Sequence, residues 1–207
     1  YCYCCGHRSL FYWDKPYENL LRNIVPKWGY EEKYTEQMVK SENEFCMRCG
    51  SVFRIRAHAK TVFNLLNQPI LPNFISFLNN NPSFVVYETA HYGLFRNRRL
   101  KRLKNYIVSE YHPDHPFEQE VNGIRNENLE NLSFANQSFD LLITSAVLEH
   151  VSDLSKTLLE IRRVLKKDGC HIFTVPVNYY MNRTKTRVVL EENGKINYIL
   201  PPEIFDI

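Results

Sequence analysis

Two short stretches, "CYCCG" at Cys2–Gly6 and "CMRCG" at Cys46–Gly50, repeat the pattern Cys-x-x-Cys-Gly. Two thiolates at that spacing can turn onto one ion, and the following glycine permits the tight turn beneath it. Cys2, Cys5, Cys46 and Cys49 would thus form a structural, tetrahedral Zn2+ site of four thiolates. The 40 residues between the knuckles exceed the roughly 15–20 of a common zinc ribbon. The bland alternative is a set of unrelated thiols. Cys4 is a spare next to the first knuckle, and Cys170 stands alone far downstream, where an inert buried thiol is expected. Disulfides are disfavoured in a reducing compartment, which turns attention to metal.

A second chemistry is suggested by "FVVYETAHYG" at residues 84–93, an apolar run ending in a carboxylate and a turn with one glycine. In an open parallel sheet, ligands sit beyond the carboxyl ends of the strands, near the point where strand order reverses. Glu88 and the loop Thr89–Gly93 would end a first strand there. Glu110 would end a second, "YIVSE", about 20 residues on, where an acid can accept hydrogen bonds from both hydroxyls of a ribose. Asn128, in the loop before "SFDLLITS", would edge an adenine ring. His150, in "LEH", is a candidate proton acceptor, and His91 is a second. Taken singly, these carboxylates read as solvated loop residues and the histidine as a packed one.

These residues need elements to position them. "RIRAHAKTVFNLLN" places Ile55, Ala59, Val62, Phe63 and Leu66 on one helical stripe, broken by Pro69 and Pro72, with His58 beside it as a packed or solvated residue. "SFVVYE", "YIVSEY", "FDLLITSAV" and "CHIFTVP" read as buried strands. "LFRNRRLKRLK" reads as a basic helix whose charges form a solvated face. "SDLSKTLLEIRRVLKKDG" reads as a helix capped by Ser152 or Asp153, ended by Gly169, with Leu154, Leu158, Ile161 and Leu165 facing the core. Alternation of apolar strands with helices predicts a mostly parallel sheet covered on both faces. The tail "TRVVLEENGKINYIL" reads as a hairpin about Asn193-Gly194. The first 51 residues, rich in Tyr, Trp, Lys and Glu, are not expected to form a core by themselves.

The run "ENLENLSFANQSFDLLITSAVLEHVSDLSKTLLEIRRVLKKDG" followed by "HIFTVP" resembles class I S-adenosylmethionine-dependent methyltransferases of the type 11 group. With the cysteine knuckles and the distal "LPPE", the chain is similar to bacterial members that carry an N-terminal zinc element and are found with surface-sugar and glycosyl-transfer genes. The resemblance implies an α/β Rossmann-like methyltransferase fold over 52–207, truncated at its C-terminus and so closing an incomplete sheet, behind a zinc-binding element over 1–51. It implies Glu110 as the ribose acid, Asn128 and Leu129 beside the adenine, and Thr144 and Ser145 at the methionine end of the cofactor. The usual acid-x-Gly-x-Gly loop is here Glu88-Thr-Ala-His-Tyr-Gly93. A pyrophosphate needs several glycines for close backbone approach. S-adenosylmethionine has no phosphate, and Ala90 with Gly93 leaves room for its sulfonium and amino-acid tail.

Composition narrows the class further. Of 207 residues, 44% are hydrophobic and 24% charged, enough apolar material for a core, and the net charge of +3 does not by itself imply nucleic acid. No apolar run approaches the ~20 residues of a membrane span. Together with the resemblance, which alone implies a small-molecule or glycan acceptor, the expectation is a cytoplasmic methyltransferase without a membrane partner. An RNA methyltransferase with a zinc recognition module and a non-catalytic scaffold are its rivals. The start at Tyr1 and the stop at Ile207 read as those of a piece of something longer.

Overall fold

The computed structural model describes residues 1–89, 100–182, 184–191 and 195–200. The candidate residues Ala90, His91 and Gly93, most of the basic segment 94–104, the Asn193-Gly194 turn and the prolines of "LPPE" lie outside them. No described helix is long and apolar enough to cross a membrane.

In chain order the elements are β1 (Phe11–Tyr12), α1 (Lys15–Ile24), α2 (Glu32–Glu42), β2 (Phe45–Cys46), α3 (Phe53–Leu65), α4 (Leu71–Asn80), β3 (Val86–Thr89), β4 (Tyr106–Glu110), β5 (Glu120–Val121), β6 (Ile124–Asn126), β7 (Phe139–Ser145), α5 (Leu154–Val164), β8 (Leu165–Thr174), β9 (Val188–Leu190) and β10 (Ile196–Tyr198). Six strands form the main sheet in the order β5-β6-β4-β3-β7-β8. All neighbours pair in parallel except β5 with β6. Taken alone, the five parallel strands run 3-2-1-4-5, the first half of a doubly wound α/β sheet with its order reversal between β3 and β7. The hairpin β9–β10 forms a two-stranded sheet of its own, so among the described residues β8 is the edge of the main sheet.

Period-two alternation assigns the strand residues to two cores. Val86, Tyr106, Leu141 and Ile143 face Ala59, Val62 and Phe63 of α3 and Phe74 and Leu78 of α4. On the other face Tyr87, Phe139 and Leu142 meet Ile161 and Val164 of α5. The stripe predicted on α3 is buried except at Leu66, and Pro72 sits in the first turn of α4, where its missing N–H costs nothing.

Three readings are corrected. The buried stripe of α5 is Thr157, Ile161 and Val164, whereas Leu154 and Leu158 are nearly half exposed. The reason is that α5 ends at Val164, not at Gly169: Leu165 already pairs with Phe139, and Lys166–Gly169 bulge before Cys170 rejoins Leu141. A side chain at Gly169 would come within 2.9 Å of the Phe139 carbonyl, so the bulge requires glycine. Cys170 itself is half-buried rather than buried. The N-terminal segment, third, does have a small core: Leu21, Val25, Trp28, Tyr34 and Val39 pack together between α1 and α2. Asp14 caps α1 through Tyr17 N (2.8 Å), and Asn43 exchanges two hydrogen bonds with the Asp14 backbone, joining the start of α1 to the end of α2.

His58 on α3 is 3% exposed, and among the described residues neither ring nitrogen has a hydrogen-bond partner of good geometry. Burial first, then the Arg54 charge, push its pKa down to about 4; the nearby Ile172 backbone pulls slightly the other way and His171 adds to the depression. His171 on β8 is pushed down to about 4 by burial. The folded protein therefore favours neutral imidazoles while the unfolded chain titrates near 6.5, so this stability is complete above pH 6.5 and is lost as pH falls towards 4. For His58 the gap of roughly two and a half pH units corresponds to about 3 kcal/mol. Thermal melts between pH 7.5 and 4.5 should show a shallower dependence for His58→Leu than for the parent; parallel curves would refute the assignment.

Candidate functional site

The two cysteine knuckles fold alike. Cys2 N donates to His7 O (3.0 Å) and Gly6 N to Cys2 O (2.9 Å); Cys46 N donates to Ser51 O (3.0 Å) and Gly50 N to Cys46 O (2.8 Å). Gly6 and Gly50 share φ of 70°, the left-handed conformation that closes each turn without a Cβ penalty. The turns bring the sulfurs of Cys2, Cys5, Cys46 and Cys49 within 4.8 Å of one another, with Cys2 Sγ 3.7 Å from Cys49 Sγ. Ser9 and Ser51 hydroxyls lie against the cluster, at 3.1 Å from Cys46 Sγ and Cys49 Sγ respectively. Cys4 is outside the four and packs into the core; hydrogen bonding to Cys2, then burial, push its thiol pKa up, so it stays protonated.

The second constellation lies at the order reversal. Three adjacent strands end in Glu110 (β4), Thr89 (β3) and Ser145 (β7); Thr89 pairs with Ser109 and Thr144, so Glu110 and Ser145 each lie one residue beyond it. Glu88 points to the α3/α4 face, buried, and accepts a hydrogen bond from the Tyr106 hydroxyl. Thr89 is 4% exposed and its Oγ1 has no hydrogen-bond partner among the described residues. Glu110 is half-buried at the open end of β4. Asn128 forms a tight turn, its Oδ1 accepting from Glu130 N (2.9 Å) and its carbonyl from Asn131 N (2.9 Å); Leu129, buried, follows in that turn.

At the end of β7, Thr144 is fully buried and its hydroxyl lies 3.0 Å from His171 Nε2. Ser145 Oγ accepts from Arg54 Nη1 (2.8 Å) and lies 3.2 Å from Thr174 Oγ1. Arg54 also grips the Glu42 carboxylate with two further N–H groups. Ala146, next in chain, has φ of 53°, a left-handed conformation uncommon for a residue with a side chain and found at functional sites. His150 is exposed in the short turn Leu148–His150 beyond the same strand. The structure thus gathers Thr89, Glu110 and Ser145 at one edge of the sheet, with His150 in the turn following β7.

Sequence reading missed β6 and the two residues that follow from it. Asn126 is fully buried and anchors the loop after β4: its amide accepts from His112 N (2.8 Å) and donates to the carbonyls of His112 (2.9 Å), His115 (3.0 Å) and Pro116 (3.1 Å). Glu127, 3% exposed, accepts from Arg125 Nε (2.5 Å) and Ser133 N (3.1 Å). The signal was Asn122-Gly123, both at positive φ, the turn pair of a two-residue hairpin. Replacing Asn126 by Ala should destabilise the protein by about 2–4 kcal/mol, since four hydrogen bonds from a buried amide to the loop backbone are lost at once. Urea unfolding would measure this, and hydrogen exchange of residues 111–117 should accelerate with it; an unchanged loop would show that other contacts hold it.

Residues 104–173 match the model of a family described as a methyltransferase domain. No curated protein matches the chain. Among solved structures, an S-adenosyl-L-methionine-dependent methyltransferase from Methanococcus maripaludis is 14% identical, with 56% of this chain and 60% of that one covered at a TM-score of 0.34. One from Mesorhizobium loti is 16% identical over 58% and 59%, at 0.37. The CMeT domain of the citrinin polyketide synthase is 14% identical over 77% and 48%, at 0.44. The chain therefore spans about half to three-fifths of the length of these neighbours. The matched segment is the one that builds four of the five parallel strands.

Proposed function

We propose that the chain binds S-adenosylmethionine beyond the carboxyl ends of β3, β4 and β7 and transfers its methyl group to a small-molecule or sugar acceptor. One coincidence carries the reading: a methyltransferase-domain sequence lies on a sheet whose order reverses where Thr89, Glu110 and Ser145 end adjacent strands. The residues fit the cofactor. Thr89 Oγ1 is a buried polar atom still lacking a partner among the described residues, at the place where a ligand would lie. Glu110 would accept hydrogen bonds from the ribose hydroxyls, and the Asn128–Leu129 turn would border the adenine. Glu88 and the segment that continues from Thr89 through Ala90 to Gly93 would border the methionine end, where a carboxylate attracts positive charge. Thr144 and Ser145 already spend their hydroxyls on His171 of β8 and on Arg54 of α3 and Thr174 of β8, so they would shape this end rather than supply donors to it.

When bound, S-adenosylmethionine supplies a methyl group on a positively charged sulfur. The chain's contribution is alignment: holding an acceptor atom in line with that methyl in a site closed to water. His150, in the exposed turn beyond β7, is the residue that would take the acceptor's proton.

In the same reading residues 1–51 are a zinc element and 52–207 the methyltransferase domain. Four sulfurs around one ion at about 2.3 Å each stand about 3.8 Å apart in a tetrahedron, and Cys2 and Cys49 are at 3.7 Å. Since the unfolded chain lacks such a site, bound metal would stabilise the fold directly. Elemental analysis should find about one zinc per chain, and Cys46→Ser should lower both that content and the melting temperature. Zinc content unchanged by the substitution would refute the site.

Glu110 tests the cofactor half of the reading. Charge-assisted hydrogen bonds of this kind are worth about 1.5–3 kcal/mol, so Glu110→Ala should weaken S-adenosylhomocysteine binding roughly ten- to a hundredfold. Zinc content and folding should be unaffected, because an acid at an open strand end supports no core. Equal affinities by calorimetry in parent and variant would mean that the cofactor lies elsewhere.

A further inference from the structure

A cleft with a volume of about 150 Å³ opens beyond the carboxyl ends of β7 and β8. Its far wall is Ala146 and the segment Val175–Tyr179, which directly follow those strands. Its near wall is α2, through Tyr34, Gln37, Met38 and Ser41. That helix belongs to the stretch between the two cysteine knuckles. The two walls are tied by Gln37 Nε2 donating to Val177 O (2.6 Å). Glu42 and Arg54 complete the lining as an ion pair, each with about a quarter of its side chain exposed, and Arg54 reaches on to Ser145.

We infer that this cleft is the methyl-acceptor site and that it takes a neutral, hydroxyl-bearing ring. The inference rests on the methyl-transfer reading of the neighbouring crevice. Three observations carry it. The cleft is smaller than the ~300 Å³ at which drug-sized ligand pockets begin, which suits a single ring. Its walls are aromatic and apolar at Tyr34, Met38, Val175 and Tyr179, the last 77% exposed at the rim, and so offer faces on which a ring can lie. Its charged groups are a carboxylate and a guanidinium that neutralise each other. A hydroxyl can donate to Glu42 and accept from Arg54 without disturbing that balance. An anionic ligand would compete with Glu42 for Arg54, and a cation would meet Arg54 head-on, so both signs are disfavoured. The cysteine element thereby acquires a second role: α2 is held in place by the knuckles at either end of its segment, and α2 selects the acceptor.

The intact, metal-loaded chain carrying 13C-methyl methionine would test this, because its methionines are Met38, Met47 and Met181. Met38 lines the cleft, whereas Met47 sits exposed in the second knuckle and reports on the cysteine element. Millimolar methyl glucoside (the sugar arm) and phenol (the phenolic arm) are the neutral probes; benzoate and benzyltrimethylammonium are the charged ones. At least one neutral probe should shift the Met38 signal saturably and leave Met47 still, with the charged probes at least tenfold weaker; the arm that binds tells a sugar from a phenol. Tyr179→Ala, at an exposed position, should weaken the neutral probe several-fold with the fold intact, and Glu42→Gln should abolish the preference over charge. A Met38 signal indifferent to both neutral probes, or charged probes binding as well as neutral ones, would overturn the inference. Calorimetry with S-adenosylhomocysteine on the same sample separates the two claims: cleft binding without cofactor binding sinks the methyl-transfer reading and with it the cleft's role as acceptor site, whereas cofactor binding without cleft binding sinks the cleft alone.

Discussion

All four residues of β3 are buried, and a parallel strand at the centre of a sheet needs a layer of side chains on each face. That requirement organises the remainder of the chain. Val86 and Glu88 turn to one side and Tyr87 and Thr89 to the other, so α3 and α4 must cover the first face and α5 the second. The polar members of β3 are accommodated rather than exposed: Tyr106 donates to Glu88, and the Tyr87 hydroxyl lies 2.6 Å from Ser109 Oγ. Burial raises the Tyr106 pKa well above its ordinary value, reinforced by the Glu88 charge, so the phenol remains a donor to the carboxylate. The strand also leaves Thr89 at its open end, which is where the order reversal makes room for a ligand.

The same packing explains why the cysteine element is not an appendage. Cys2, Cys4 and Cys46 are buried in the core cluster that holds Val86 and Ile143, and Gly6 lies so close to Pro72 that a Cβ there would approach its ring to 2.7 Å. The first knuckle is thus seated on α4, the second precedes α3, and the 40 residues between them return as α1 and α2. Arg54 completes the connection at the other end, from the first turn of α3 to Glu42 of α2 and to Ser145 of β7. The cysteine cluster, the helix pair and the end of a central strand are thus linked through direct contacts.

Much of this was legible before the structure. β3, β4, β7 and β8 announced themselves as apolar runs, and the repeated Cys-x-x-Cys-Gly put four sulfurs together because short spacing and a glycine leave a knuckle few alternatives. β6 was hidden because it has three residues, two of them polar, and its only loud signal was the Asn122-Gly123 turn before it. Asn126 and Glu127 were hidden with it: polar residues in an "NEN" run resemble solvated loop, and only tertiary burial turns them into anchors. The stripe on α5 was misassigned for another reason. Leu158 and Ile161 share a helical face with several apolar neighbours, and periodicity cannot say which leucine the sheet covers when the helix ends five residues before its glycine. The small core of Leu21, Val25 and Trp28 escaped because an aromatic-rich, aliphatic-poor segment looks unable to fold until its helices are fixed at both ends.

That last point bears on how the acceptor side of such an enzyme is built. Helices as short as α1 and α2, 10 and 11 residues, are marginal in water and owe their shape to tertiary fixation. Here fixation comes from the cluster of sulfurs, the Asp14–Asn43 exchange and the Arg54–Glu42 pair, all at the end where α1 begins and α2 finishes. Together they hold the end of α2 towards the end of β7, through Arg54 and Ser145. An acceptor cleft whose wall is a separately braced helical pair can change its lining without disturbing the sheet. Tyr34, Gln37, Met38 and Ser41 lie on one helix face, whereas Thr89, Glu110 and Ser145 are tied to strand register. On the proposed reading, recognition of the acceptor and recognition of the cofactor would fall to parts of the chain that are stabilised in different ways.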